Sequence, residues 1–160
     1  MALGKIFIIL GAILTILGTY VFAVFATFPP DYVGSGLGFA MNLPDIIGVD
    51  PGADAFAFYF MLVFFIFWLV SGVLQLVGLK SRIVGLIFSL VPLAIGVTFL
   101  LFIYTDILGM MTFVFMLLTS GELIGGFFPI LVDIGTLGLG TYFLVAGGAL
   151  GLVGSIMPQD

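Results

Sequence analysis

Four stretches of this chain, residues 4–28, 55–79, 83–105 and 134–156, contain one charged side chain between them, Lys5. A helix rises about 1.5 Å per residue, so about 20 apolar residues cross the hydrocarbon core of a bilayer. Each stretch reaches that length. Hydrocarbon offers no partner to a backbone N–H or C=O, so a single stretch crossing it must bond to itself as a helix. Composition points the same way. Charged residues make up 7% of the chain and hydrophobic ones 63%, whereas a soluble domain carries about 25% charged residues. The expected fold is an all-α membrane protein: one domain, residues 1–160, forming a four-transmembrane-helix bundle with lipid as its main contact.

The boundaries follow from local chemistry. The first stretch is longer than the apolar region of a signal peptide, about 7–15 residues. Although Val24-Phe25-Ala26 resembles a cleavage site, the segment reads as a retained helix that stops at Pro29-Pro30. Residues 29–54 are rich in Gly, Pro and Asp and read as an irregular outer loop. At its end, Asp50-Pro51 suggests an N-cap followed by proline at the first helical position. The second span crowds aromatics between Phe56 and Trp68. Leu79-Lys80-Ser81-Arg82 reads as a tight turn into the third span, with a bend expected at Pro92. Ile107–Thr119 is apolar but too short to cross. It reads as an interfacial segment, a re-entrant segment or a continuation of the third helix. Asp133 is expected near the N-terminus of the last helix, where the dipole favours a carboxylate.

Charge placement sets orientation. Lys5, Lys80 and Arg82 are all the basic residues, and a four-span path puts them on one side. Cytoplasmic loops carry the basic excess, so both termini are expected in the cytoplasm and the chain in the cell membrane. The outer loops then hold Asp31, Asp45, Asp50, Asp54, Asp106, Glu122 and Asp133. A fifth span would place Glu122 in lipid, at a cost of roughly 3 kcal/mol.

Small residues recur at helix-packing spacings. Gly11, Thr15 and Gly18 do so in the first span, Gly85 and Ser89 in the third, and Gly147, Gly151 and Ser155 in the fourth. Lacking bulk, they let helix backbones approach closely. The same pattern serves packing within one chain or association with other membrane subunits or a second copy. Gln75 is the most polar side chain well inside a span. Asp50 and Asp54, four apart, offer hard oxygens to a cation at most weakly, and capping accounts for them equally well. Gly34-Ser35-Gly36-Leu37-Gly38 lacks the lysine of a phosphate loop and reads as a flexible or tightly turned outer loop.

The layout resembles tetraspan proteins of the claudin type. It shares two outer loops, a short basic inner turn at Leu79–Arg82 and apolar sequence after the third span that could carry that helix past the membrane. The resemblance covers the whole chain as topology alone. Residues 29–54 hold no Trp, no Gly-Leu-Trp and no cysteine, which the claudin first loop has. It therefore implies architecture and transfers no functional residue.

Function is bounded mainly by exclusion. With no Cys and no His, thiol nucleophiles, the usual general base and most zinc sites are absent. No basic tract invites nucleic acid. No ionisable group lies mid-span, where a proton path would need one. No catalytic, cofactor or metal-binding set emerges. The expected role is non-enzymatic: a structural or accessory subunit of a larger membrane assembly, or a self-associating tetraspan. The alternative is a channel or transporter component with an acidic outer vestibule.

Overall fold

The computed structural model describes residues 2–26, 31–107, 109 and 111–159. Its frame is four helices long and apolar enough to span a membrane. These are α1 (Leu3–Ile16), which runs on through a wide π-helical turn at Leu17–Val21, then α3 (Ala55–Val77), α4 (Arg82–Tyr104) and α6 (Leu139–Ile156). Two shorter helices, α2 (Gly36–Ile47) and α5 (Met111–Thr119), lie between them in sequence. The described residues also form five short strands: β1 (Phe25–Ala26), β2 (Tyr32–Gly34), β3 (Ser120–Glu122), β4 (Asp133–Ile134) and β5 (Leu137–Gly138).

Around the bundle the long helices follow the order α1, α3, α4, α6. Their buried positions show why. In α3, Leu62, Phe65, Trp68, Gly72 and Gln75 fall three or four apart and make one inward stripe, the spacing that keeps a helix face in register. The two ends of the bundle differ sharply. At one end, the start of α1, the turn between α3 and α4 and the end of α6 come together, and Gln159 Nε2 donates to the Gly78 carbonyl at 3.3 Å. Lys5, Lys80 and Arg82 all belong to this end. The other end carries a folded cap built from residues 22–26, 31–54, 105–107, 109 and 111–138, which hold seven of the eight acidic residues.

The cap is organised around the chain leaving α1. Thr19 Oγ1 donates to the Thr15 carbonyl at 2.7 Å, and the last turn widens until Phe22 N–H reaches Leu17 O at 2.9 Å. The backbone then runs extended and is bonded on both sides. Ala23 N–H donates to Ile130 O at 2.9 Å, Val24 N–H to Gly34 O at 2.8 Å, and Gly138 N–H to Val24 O at 2.8 Å. Strands β1, β2 and β3 form an antiparallel sheet in that order, with Tyr32 opposite Glu122 and Phe25 opposite Gly34. β4 and β5 form a separate hairpin, turned at Gly135 with φ +73°, a backbone region that favours glycine.

Cap and bundle meet in an aromatic joint. Phe25 of β1 lies 5.4 Å from Phe99 of α4, Phe39 of α2 lies 5.1 Å from Phe65 of α3, and Phe115 of α5 lies 5.1 Å from Phe65 and 4.7 Å from Phe102. Trp68 closes the cluster at 5.7 Å from Phe65 and 5.8 Å from Phe99. Edge-on and tilted ring pairs of this kind add about 0.5–1.5 kcal/mol each beyond burial.

The structure corrects several local expectations. The first helix does not reach Phe28. It ends at Val21, and the Pro29-Pro30 stop lies outside the described residues. Residues 29–54 are not irregular throughout, because α2 occupies their middle. Ser35 is its N-cap, accepting from Gly38 N–H at 2.9 Å, and Pro44 sits inside it. Glycines 34, 36 and 38 do not make a flexible loop but pack against Phe25, Thr19 and Thr119. The third helix does not extend past the bundle. Thr105 is extended (φ −143°, ψ 157°), and α5 is a separate helix. Asp133 sits in β4 rather than at the start of α6, whose N-cap is Gly138. α4 remains one helix through Pro92.

Asn42 ties α2 to the second cap segment, its Nδ2 donating to Leu118 O at 3.2 Å and Ser120 O at 2.8 Å. Asn42→Leu removes both bonds and leaves two half-buried carbonyls short of a partner, at about 1–3 kcal/mol. The expected result is faster proteolysis and amide exchange across α2, α5 and β3, with protection of the four long helices unchanged.

Candidate functional site

Three features merit a functional reading: the small-residue seams, a buried polar junction and the acidic cap. The eight small residues marked by the sequence lie on seams within this one chain. A Cβ built on Gly11 would stand 2.6 Å from the Gly151 amide nitrogen and 2.7 Å from the Gly147 carbonyl. One on Gly147 would stand 2.6 Å from Thr15 Oγ1, and one on Gly18 would stand 2.7 Å from the Gly140 carbonyl. On the neighbouring seam, Gly85 faces Gly78 and the Ser155 hydroxyl, while Ser89 packs on Gly151. α6 therefore lies between α1 and α4 with its backbone against theirs. Ser89 and Ser155 turn their hydroxyls to their own helices, Oγ to Gly85 O at 2.6 Å and to Gly151 O at 2.8 Å.

Gln75 stands at the heart of this packing, fully buried (0% exposed). A Cβ on Gly151 would be 3.0 Å from its Nε2. Among the described residues, neither amide atom of Gln75, nor Thr15 Oγ1, nor Trp68 Nε1 has a hydrogen-bond partner. Such atoms cost about 1–3 kcal/mol each in protein interiors. Tyr20, by contrast, is satisfied, its hydroxyl donating to Leu69 O at 2.6 Å and joining α1 to α3.

The aromatic band of α3 divides between two surroundings. Phe65 and Trp68 belong to the core, whereas Phe56 and Phe60 are 85% and 68% exposed. The pair Asp50 and Asp54 is also divided. Asp50 Oδ1 accepts from Gly52 N–H at 3.1 Å and shapes the 3₁₀ turn Gly52–Asp54. Asp54 precedes α3 but makes no side-chain capping bond. Among the described residues, no three carboxylates gather as a metal cluster would require. Asp106, Glu122 and Asp133 belong to three different pieces of the cap. A cleft of about 310 Å³ opens between the start of α3 and α5, lined by Pro51, Asp54, Ala57, Phe58, Met61 and Val114. A smaller void of about 10 Å³, large enough for one water, lies under Phe25, Phe99 and Phe102.

Gly4 stands seven residues before Gly11, as Gly11 does before Gly18, a spacing visible in the sequence, and it packs on Gly154 and Pro158. Sequence reasoning missed other parts of the seam: Gly72 packs on Ile16, Gly96 on Val145 and Thr141, and Gly148 on Leu93. Gly154 stands seven residues beyond Gly147. Gly72 and Gly96 have no small neighbour at four-residue spacing, so nothing local distinguishes them. The cleft joins residues sixty apart in sequence and has no local signature.

No family model, no characterised protein and no solved structure matches the chain.

Two measurements probe the seam. Gly11→Val and Gly147→Val force the α1–α6 backbones apart and are expected to cost about 1–3 kcal/mol or more each. Gly48→Ala, where a Cβ finds only ordinary contact at 3.5 Å, should stay within about 0.5 kcal/mol of the parent. Thermal unfolding in mild detergent reads both. Gln75→Met replaces the unpartnered amide with an apolar chain of similar length. It is expected to raise stability by about 1 kcal/mol, and a loss would show that the amide finds partners in solution.

Proposed function

We propose that this chain is a non-enzymatic, multi-pass protein of the cell membrane, with both termini cytoplasmic, that serves as a structural or accessory subunit of a larger membrane assembly. The observation that carries this reading is the segregation of charge along the bundle. Three basic residues collect at one end and seven acidic residues belong to the cap at the other, and the helical sequence between the two ends carries no charge. Basic residues favour the cytoplasmic side. The sides of the bundle suit lipid: Leu10, Ile13, Phe67, Ile87, Leu90 and Val97 are exposed apolar side chains along its helices, where water would penalise them.

The accessory role rests on two further observations. The small-residue stripes are used within the chain, so a partner must be met elsewhere. The cap also presents apolar side chains among its acids, including Val49, Ile124 and Phe127, the last 69% exposed. Exposed apolar side chains near charge are a feature that protein-binding surfaces share. Self-association through the glycine stripes loses its original support, since those glycines already face each other.

The acidic cap favours one second reading, a cation channel or carrier component in which the carboxylates concentrate ions at a vestibule. Against it stand the close backbone contacts along the bundle axis. Cation flux in oriented proteoliposomes decides between the readings: flux supports the channel and its absence supports the accessory role.

The natural lack of cysteine makes topology directly testable. Asp45→Cys is expected to react with a membrane-impermeant maleimide on intact cells, and Lys80→Cys only after permeabilisation. The reverse pattern would invert the assignment. For the accessory role, native mass spectrometry from mild detergent is expected to show heteromeric partners at fixed stoichiometry. A strictly monomeric species would overturn that role.

A further inference from the structure

The geometry points to a binding site for one aminophospholipid, a phospholipid with a primary ammonium headgroup, in the cleft between the start of α3 and α5. This inference rests on the membrane reading above and names a ligand for it.

The cleft has polarity in the right direction. Asp54 marks the cap end of α3, and Met61 lies two helical turns along, about 10 Å towards the middle of the bundle. Between them the lining is Ala57 and Phe58, with Pro51 and Val114 as the other walls. Among the described residues, Asp54 is the only ionisable side chain in that lining. A bilayer lipid has the same order, a charged head above an apolar chain. At about 310 Å³ the cleft sits at the lower end of ligand-site volumes, enough for a headgroup and the first part of one chain.

Charge selects the head. The Asp54 carboxylate is exposed and makes no capping bond at α3, whereas Asp50 spends an oxygen on Gly52 N–H. A carboxylate accepts well from an ammonium, and a primary ammonium brings three N–H donors. A choline head has the charge but no donors. The flanking Phe58 ring adds a surface on which a cation is stabilised. A net-anionic head would meet Asp54 and the surrounding acids of the cap as like charges.

The test is native mass spectrometry of the full chain from nanodiscs containing equal parts phosphatidylethanolamine, phosphatidylcholine and phosphatidylglycerol with identical acyl chains. The expected result is one retained phosphatidylethanolamine, favoured about three- to fivefold over each competitor, the size of a single half-solvated ion pair. Asp54→Asn should abolish the preference. Ala57→Trp, which fills the cleft and leaves the carboxylate, should abolish retention. Asp106→Asn, the same change of net charge elsewhere on the cap, should leave the preference intact. Equal retention of phosphatidylethanolamine and either competitor would overturn the site. So would a preference that survives Asp54→Asn or Ala57→Trp, or one that Asp106→Asn removes. A chain recovered in the soluble fraction would sink the membrane reading itself, whereas an embedded chain with no preference would sink only this site.

Discussion

The structure depends on the approach of helix backbones across glycine. In hydrocarbon, two leucine-covered helices gain little by touching, because lipid chains are as apolar as leucine. What lipid cannot reproduce is the density of contact between bare backbones. Gly11 against Gly147 and Gly151, Gly18 against Gly140, and Gly4 against Gly154 supply that contact along the whole length of α1. Gly148 and Gly151 do the same for α4, through Leu93 and Ser89. Bulky residues are then free to work elsewhere: Phe65, Trp68, Phe99 and Phe115 fill the wider space where the bundle opens into the cap.

This division of labour explains the positions of the hydroxyl residues. Ser89, Ser155, Thr98 and Thr105 bond back to the carbonyl one turn earlier on their own helices. They satisfy themselves locally, and Ser89 and Ser155 act at the seams as small residues. Thr141 is different. Its hydroxyl reaches Val24 O at 2.8 Å and fixes the start of α6 to the extended segment leaving α1. Gln75 follows neither pattern. Its buried amide has no partner among the described residues, a cost that Thr15 Oγ1 and Trp68 Nε1 share, and packing alone does not account for so polar a residue there.

Much of the bundle was legible in the sequence, and the reason is physical. An uninterrupted apolar stretch of about 20 residues has few fates, and the stretches at 55–79, 83–105 and 134–156 each contain most of a long helix. The errors fall at the cap. Residues 22–26 are as apolar as the helix before them, but Val24 and Phe25 are covered by protein. Composition reports burial without saying what does the burying. Glycines 34, 36 and 38 read as freedom because glycine serves both looseness and close contact, and only the neighbours Phe25, Thr19 and Thr119 distinguish the two. At the candidate cleft, Asp54 and Phe58 were visible as residues. Their relation to Val114 was not, since α5 is brought over α3 by the Phe65–Phe115 stacking.

The position of α6 has a consequence for biogenesis. Of the four long helices α1 is made before the other three, yet its closest backbone partners, Gly140, Gly147, Gly151 and Gly154, all belong to α6, which is made after them. α4 awaits the same surface, and the extended segment after α1 awaits Gly138 and Thr141. Until α6 leaves the ribosome, the glycine faces of α1 and α4 lack the partner they have in the folded chain. Closure of the bundle and completion of the cap are thus a single late event, and a chain truncated before residue 139 would lack both.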